Sequence, residues 1–251
     1  MATDKRPGAD AHSHSHSHGL GSGYGRHHRD VSGGWLRPAV FGAMDGLVTN
    51  VSLIAGVGGG GGSAHTIVLT GLAGLAAGAF SMAAGEFVSV SSQNELVQAE
   101  VNKERLELEH NAAAEQAELA GMLRARGVSA ATARQAAAEI SADPDKALAV
   151  HALEELGVNP GELPSPLVAA GASLAAFAVG ALIPLFPYLA GLHLLWAALG
   201  LAAVAAVAGG GIVARLTDRP FWRGALRQLV LGVCAAGITY LIGTLVGHVT
   251  G

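Results

Sequence analysis

Apolar and small residues gather into five long runs, at approximately residues 38–58, 66–92, 166–186, 189–213 and 222–246. A helix needs about 20 residues to cross a bilayer, so each run predicts a spanning helix. Between the second and third runs the pattern changes. Residues 95–155 hold twelve acidic residues: Glu95, Glu100, Glu104, Glu107, Glu109, Glu115, Glu118, Glu139, Asp143, Asp145, Glu154 and Glu155. Six basic residues accompany them, and the stretch is too polar for lipid. Alternation with period two is absent and Ala dominates, so no strand is predicted.

The polar insert reads as helical. No Gly or Pro occurs from Glu86 to Ala120, so the second span is expected to run on into water as one long helix. A break is predicted near His110-Asn111, with Asn111 capping the next helix. Gly127 then gives a stop and Ser129 a fresh cap. Asp143-Pro144 supplies a cap and a first-turn proline, Gly157 ends that helix, and Ser165-Pro166 opens the third span. The predicted fold is an all-α integral membrane protein. Five transmembrane helices carry a three-helix acidic insert between the second and third. The expected regions are a disordered His-rich tail over 1–35, two spans over 36–94, the insert over 95–160, and three spans over 161–251.

Composition agrees with a membrane protein. Of 251 residues, 51% are hydrophobic and 14% charged, whereas a soluble domain carries about 25% charged residues. The 36 glycines suit close helix packing in lipid. The first 35 residues are polar and are not expected to be a signal peptide. Cys234 is the lone cysteine, which excludes an internal disulfide and a Cys-based metal site. All fifteen Lys and Arg fall within residues 1–37, 103–146 and 215–227. With five spans these regions share one side. The positive-inside rule makes that side cytoplasmic, with the N-terminus and the insert.

Chemistry begins with Asp45, a carboxylate inside the first apolar run, GAMDGLVTNVSLIAGV. Such a residue costs roughly 2.5–3.5 kcal/mol at the centre of a span. Helical spacing puts Asp45, Thr49, Ser52 and Gly56 on one polar stripe. Met82, Glu86, Ser89 and Gln93 form a similar stripe on the second span. Together these can bind a divalent cation or exchange protons, because desolvation raises a carboxylate pKa and a cation lowers it. The alternatives are a structural hydrogen bond for Asp45, an interfacial position for Glu86 and core packing for Met82.

In the insert, Glu100, Glu104 and Glu107 share one helix face, Glu115 and Glu118 a second, and His151 and Glu155 a third. Carboxylates with imidazole suit Fe(II), Mn(II) or Zn(II) rather than Cu(I). The alternative is an acidic solvated surface. Glu109, Glu139, Asp143, Asp145 and Glu154 read as solvated face or caps. In the tail, His12, His14, His16, His18, His27 and His28 stand among Gly and Ser. They can gather metal, or form a solvated tail without a role. The glycines at 58–62 read as a flexible outer loop. They form no phosphate-binding loop with a Lys, which argues against ATP-driven pumping. No basic patch stands free of acids, so nucleic acid is not an expected partner.

These residues resemble a known family. DGLVTNVSLIAGV, AAGAFSMAAGEFVSVSSQNE, the Glu-rich insert with AEQAEL, then ELGV and ALIPLFPY are similar, in order and spacing, to the vacuolar iron transporter family of iron and manganese transporters, in a bacterial-type member. The resemblance covers roughly residues 35–250. It implies a homodimer with five spans per subunit and a transport path between the two first spans. It also implies a cytoplasmic metal-binding domain and exchange of metal for protons. Asp45 matches the path aspartate and Met82 the path methionine. Glu104, Glu107, Glu115, Glu118 and Glu155 match the domain glutamates. His151-Ala152 stands where relatives carry a Met pair, and Gly74 where some have Glu. The expected function is export of cytosolic iron or manganese by metal/proton antiport. The expected location is the bacterial plasma membrane, with lipid, metal ions and protons as partners. No prosthetic group and no enzymatic activity are expected. The rival reading is a membrane-anchored di-iron oxidase or iron-storage protein. Glu107 and His110 do form a Glu-x-x-His pair, but a di-iron bundle needs two such pairs and two further glutamates.

Overall fold

The computed structural model describes residues 34–250, and the histidines of the tail lie outside them. The described residues form eight α-helices and no strand. They are α1 (Leu36–Gly59), α2 (Ala64–His110), α3 (Ala112–Ala125), α4 (Ala130–Ser141), α5 (Pro144–His151), α6 (Pro166–Leu189), α7 (Leu195–Leu216) and α8 (Phe221–Thr250). A π-helical turn, Ala152–Leu156, follows α5 directly. Five helices, α1, α2, α6, α7 and α8, are long and apolar enough to cross a membrane.

α1 is the centre of the bundle and touches each of the other four spans. Glycine makes the closest of these contacts. A Cβ at Gly42 would sit 2.6 Å from the Ser173 carbonyl oxygen of α6. One at Gly46 would collide with the Phe177 carbonyl, and one at Gly180 with that of Ala43. The register rises on both chains together, so α1 and α6 run parallel with their backbones in contact. Small residues of this kind let helices associate in lipid, where apolar burial gives no net drive. Asn50, 1% exposed, adds a hydrogen bond from Nδ2 to the Ala181 carbonyl at 2.6 Å. α8 also runs parallel to α1, and Gly56 and Gly60 face Gly243 and Gly247.

That last contact corrects one expectation. The glycines at 58–62 are not an open loop. Gly58 and Gly59 complete α1, Gly59 abuts Tyr240, and only the short turn 60–63 joins α2. The fourth span also begins later than expected. Residues 190–194 turn the chain, with Gly191 at φ 83°, and α7 starts at Leu195. α6 stays helical through Pro184 and Pro187 to Leu189.

α2 is one helix of 47 residues, about 70 Å long. Its distal part leaves the bundle and carries α3, α4 and α5. Ser129, Asp143 and Ser165 cap their helices by accepting from Thr132, Lys146 and Val168 N–H. Gly127 and Gly157 take φ of 94° and 67°, as helix-ending glycines do. Asn111 is a correction, because its side chain makes no capping bond to α3. It acts as a joint: its N–H donates to Glu107 and its own carbonyl receives Ala114 and Glu115 N–H. Two small cores hold the insert. Leu119, Ala120 and Ala137 join α3 to α4, and Val101, Leu148 and Ala152 join α5 to α2.

The α1–α6 contact predicts a sharp contrast between glycines. Gly46→Ala should lower the thermal midpoint in detergent by the equivalent of about 1–3 kcal/mol, because its methyl meets backbone. Gly200→Ala, at a position with nothing within 4 Å, should leave the midpoint unchanged or slightly higher. Fluorescence-detected size exclusion after heating measures both.

Candidate metal centre

Three helices converge on His151. It ends α5 and is wholly buried. Its Nδ1 lies 3.0 Å from Glu104 Oε1 of α2 and 4.0 Å from Glu115 Oε2 of α3. It is also 3.0 Å from Glu155 Oε1 on the π-helical turn, with which it forms a hydrogen bond. Glu104 and Glu115 are 7% and 8% exposed, unusual for carboxylates. The α2–α5 core sets Glu104 beneath His151, since Val101 and Leu148 pack one turn away. The α3–α4 core orients Glu115 in the same way through Leu119.

The site is electrostatically unfinished. Burial pushes the Glu104 carboxyl above the usual glutamate range, and Glu155 raises it further, against the lowering pull of His151. Burial and then Glu118 do the same to Glu115. Glu104 Oε1 and His151 Nε2 are buried without a hydrogen-bond partner. No Lys or Arg forms an ion pair with Glu104 or Glu115 among the described residues. One donor atom from each of Glu104, Glu115 and His151 falls within 4.8 Å of the others. Ligands about 2.0–2.2 Å from a small divalent ion lie roughly 3–4 Å apart, so the Nδ1–oxygen spacings suit such an ion. It would supply the positive charge that the cluster lacks.

The remaining predicted residues fall around this cluster or far from it. Glu107 is half-buried and lies 3.9 Å from Lys103. Glu100 and Glu118 are exposed. Glu154, read as solvated, is not: its side chain is 12% exposed and pairs with Arg126 at 2.6 Å. That contact clamps the π-helical turn to the end of α3, and no pattern in the sequence announces it. His110 is exposed and its Nδ1 hydrogen-bonds the Leu106 carbonyl. It therefore stays outside the cluster, and the Glu-x-x-His pair does not assemble into a centre.

In the bundle, Asp45, Thr49, Ser52 and Gly56 are all half-buried, off the face of α1 that packs on α6. Thr49 Oγ1 donates to Asp45 Oδ1 at 3.4 Å. Glu86 is half-buried. Met82 packs with Leu75 and Leu174 against Ala79, Phe177 and Ala181. Ser89 and Gln93 are exposed. The polar stripe through Asp45 misses Asn50, which points away from it. The signal is present in the sequence, since an amide deep in an apolar run needs a partner.

Residues 36–244 match the VIT family model. The chain is 34% identical over 228 residues to a vacuolar iron transporter of Acanthamoeba castellanii, covering 88% of this chain and 83% of that protein. It is 37% identical over 218 residues to vacuolar iron transporter homolog 1 of Oryza sativa subsp. japonica, covering 85% and 74%. It is 32% identical over 216 residues to vacuolar iron transporter homolog 1 of Arabidopsis thaliana, covering 85% and 84%.

The raised carboxyls fix a sign for pH. Ionising Glu104 or Glu115 costs folding energy, so their contribution to metal-free stability is fullest below the ordinary glutamate range. It is lost as pH rises through their elevated values. Glu104→Gln should therefore raise the metal-free thermal midpoint at neutral pH by about 2–4 °C. The gain over wild type should vanish below about pH 4, where both carry no charge. Thermal scans in chelator across pH check it.

Proposed function

Since this chain belongs to the VIT family, we propose that it is a transmembrane transporter of divalent metal ions, iron and manganese first among them. The observation that carries the reading is the buried Glu104–Glu115–His151 cluster, a cation site of hard and borderline donors. The relatives' names support iron. Family membership likewise favours a transporter over an enzyme.

In this reading the insert captures the ion from the cytoplasm. Glu104, Glu115 and His151 ligate it, and Glu155, whose Oε1 is also 3.0 Å from Nδ1, joins them as a fourth ligand once that nitrogen gives up its proton. Glu107 and Glu118 stand at the rim and add negative potential. By the family resemblance, His151 stands in place of a Met, so the cluster lacks that sulfur; carboxylates with imidazole suit Fe(II), Mn(II) or Zn(II). The ion then reaches the mouth of the bundle at Glu86 and Met82 and passes to Asp45. A proton arriving from the far side neutralises Asp45 and frees the metal, so the exchange is an antiport.

A second copy of the chain completes the path. Asp45 and Thr49 are half-buried in the single protomer, which suits a face shared by two first spans, whereas Gly56 of the same stripe is covered by α8. Arg37, the cations of the insert and Arg215 to Arg227 belong to one end of the bundle, assigned to the cytoplasm by the positive-inside rule. A plasma-membrane location makes the direction export. The His-rich tail would then lie on the loading side as an accessory collector.

Inside-out vesicles test the proposal. Wild type should accumulate Fe(II) or Mn(II), and faster with an acidic lumen; equal rates with and without the gradient would rule out proton coupling. Asp45→Asn should assemble normally yet lose flux by about 100-fold or more, as expected where a single charge is required. Normal flux through that variant would sink the assigned path. His151→Ala should weaken binding of Mn(II) to the solubilised protein by about 10–100-fold, measured by calorimetry.

A further inference from the structure

Glu104 of the buried cluster and the membrane-end carboxylate Glu86 sit on the same helix, and their register is fixed. α2 is unbroken from Ala64 to His110. Eighteen residues separate Glu86 from Glu104, about five turns, so both project from one face, about 27 Å apart. Gln93 and Glu100 fall within about 40° of that line, and Ser89 and Glu107 within about 60°. The other two acids of α2, Glu95 and Glu109, lie on the far side. Lys103 and Arg105 stand about 100° away to either side.

The cover over this face varies along the helix. At the membrane end Met82 packs beneath Phe177. At the insert end α5 buries Glu104. Between them Ser89, Gln93 and Glu100 are exposed. The row ends on Glu104 Oε1, a buried oxygen with no hydrogen-bond partner.

We infer that this face of α2 guides cations between the insert and the mouth of the bundle, with Glu100 and Gln93 as its intermediate steps. The inference rests on the transport reading. Glu100 is about 6 Å along the helix from Glu104, and Gln93 about 10 Å from both Glu100 and Glu86. The charged step from Glu104 to Glu100 is shorter than the Debye length, about 8–10 Å in physiological salt. The roughly 21 Å from Glu100 to Glu86 exceeds it, so Gln93 serves as the stepping point between those two charges. Gln93 offers a neutral oxygen, which attracts an ion without trapping it, as conduction through successive sites requires.

The test compares Glu100→Lys with Glu95→Lys, the same charge change on opposite faces, in Mn(II) flux by inside-out vesicles. Glu100→Lys should raise KM by on the order of 5–10-fold at low ionic strength with kcat little changed, and the defect should shrink in high salt. Glu95→Lys should stay within about 2-fold of wild type. Calorimetry on Glu100→Lys should find Mn(II) affinity at the cluster lowered by less than the rise in KM, staying within about 2–3-fold of wild type. Wild-type flux with the two variants alike, or a KM defect that salt leaves untouched, overturns the guide alone. So does a loss of cluster affinity that matches the KM change. Absent wild-type flux overturns the transport reading and the guide with it.

Discussion

The contact between the backbones of α1 and α6 is the constraint on which the bundle depends. In hydrocarbon, apolar side chains gain nothing by leaving lipid for protein, so association must come from packing and hydrogen bonds. Gly42, Gly46 and Gly180 remove the side chains that would hold the helices apart. Asn50 then reaches the Ala181 carbonyl. With α1 fixed on α6, its glycines at 56 and 60 meet α8 on a second face. Only then is the rotation of α1 determined. Asp45 and Thr49 lie where this packing leaves α1 partly open, while Gly56 at the other end of their stripe is closed by α8. The position of the membrane carboxylate is thus a consequence of where the glycines are, not of any bond it makes.

The insert obeys the opposite logic. There the helices pack well, but the packing drives carboxylates together beneath a buried imidazole. Two acids raised by burial and mutual repulsion represent a fold that gives up stability for a charge pattern. The small cores on either side, around Val101 and around Leu119, keep the acids from separating. A divalent cation relieves the repulsion at once, which is why the arrangement reads as a binding site and not as an acidic surface. Glu155 gives His151 a partner on the ring nitrogen that faces the carboxylates, so the imidazole is held in place by the turn after it.

Much of this fold is legible in the chain alone. Five apolar runs, the unbroken stretch from Glu86 to Ala120 and the caps at Ser129, Asp143 and Ser165 are local signals, and local signals read directly. The i, i+4 spacing of His151 and Glu155 also places that pair. The illegible part is tertiary. Spacing treats Glu104, Glu107, Glu115 and Glu118 alike, whereas burial separates the first and third from the others. The run at 58–62 looks like a loop because glycine serves both turns and close approach, and only α8 beside it decides between them. Asn111 looks like a cap by type, but its backbone takes the role of joint. The Arg126–Glu154 clamp joins residues 28 apart across two helix ends, beyond any periodic pattern.

The single helix that joins the two sites also limits how they can cooperate. A side chain swings through a few ångströms, while Glu104 and Glu86 are about 27 Å apart along α2. Shortening that distance would require bending a helix with no Gly or Pro between them. Asn94 works against such a bend, because its amide donates to the Pro164 carbonyl and ties α2 to the segment that enters α6. Direct transfer from one carboxylate to the other is therefore closed to a rigid α2. On the transport reading, an ion held at the cluster would have to leave it before reaching the bundle, and something would have to loosen it. Protonation of acids already raised above their usual range is the nearest such agent, since Glu104 and Glu115 compete for protons more strongly than a solvated glutamate does. On that reading, the burial that favours a cation at the cluster also favours the protons that would displace it.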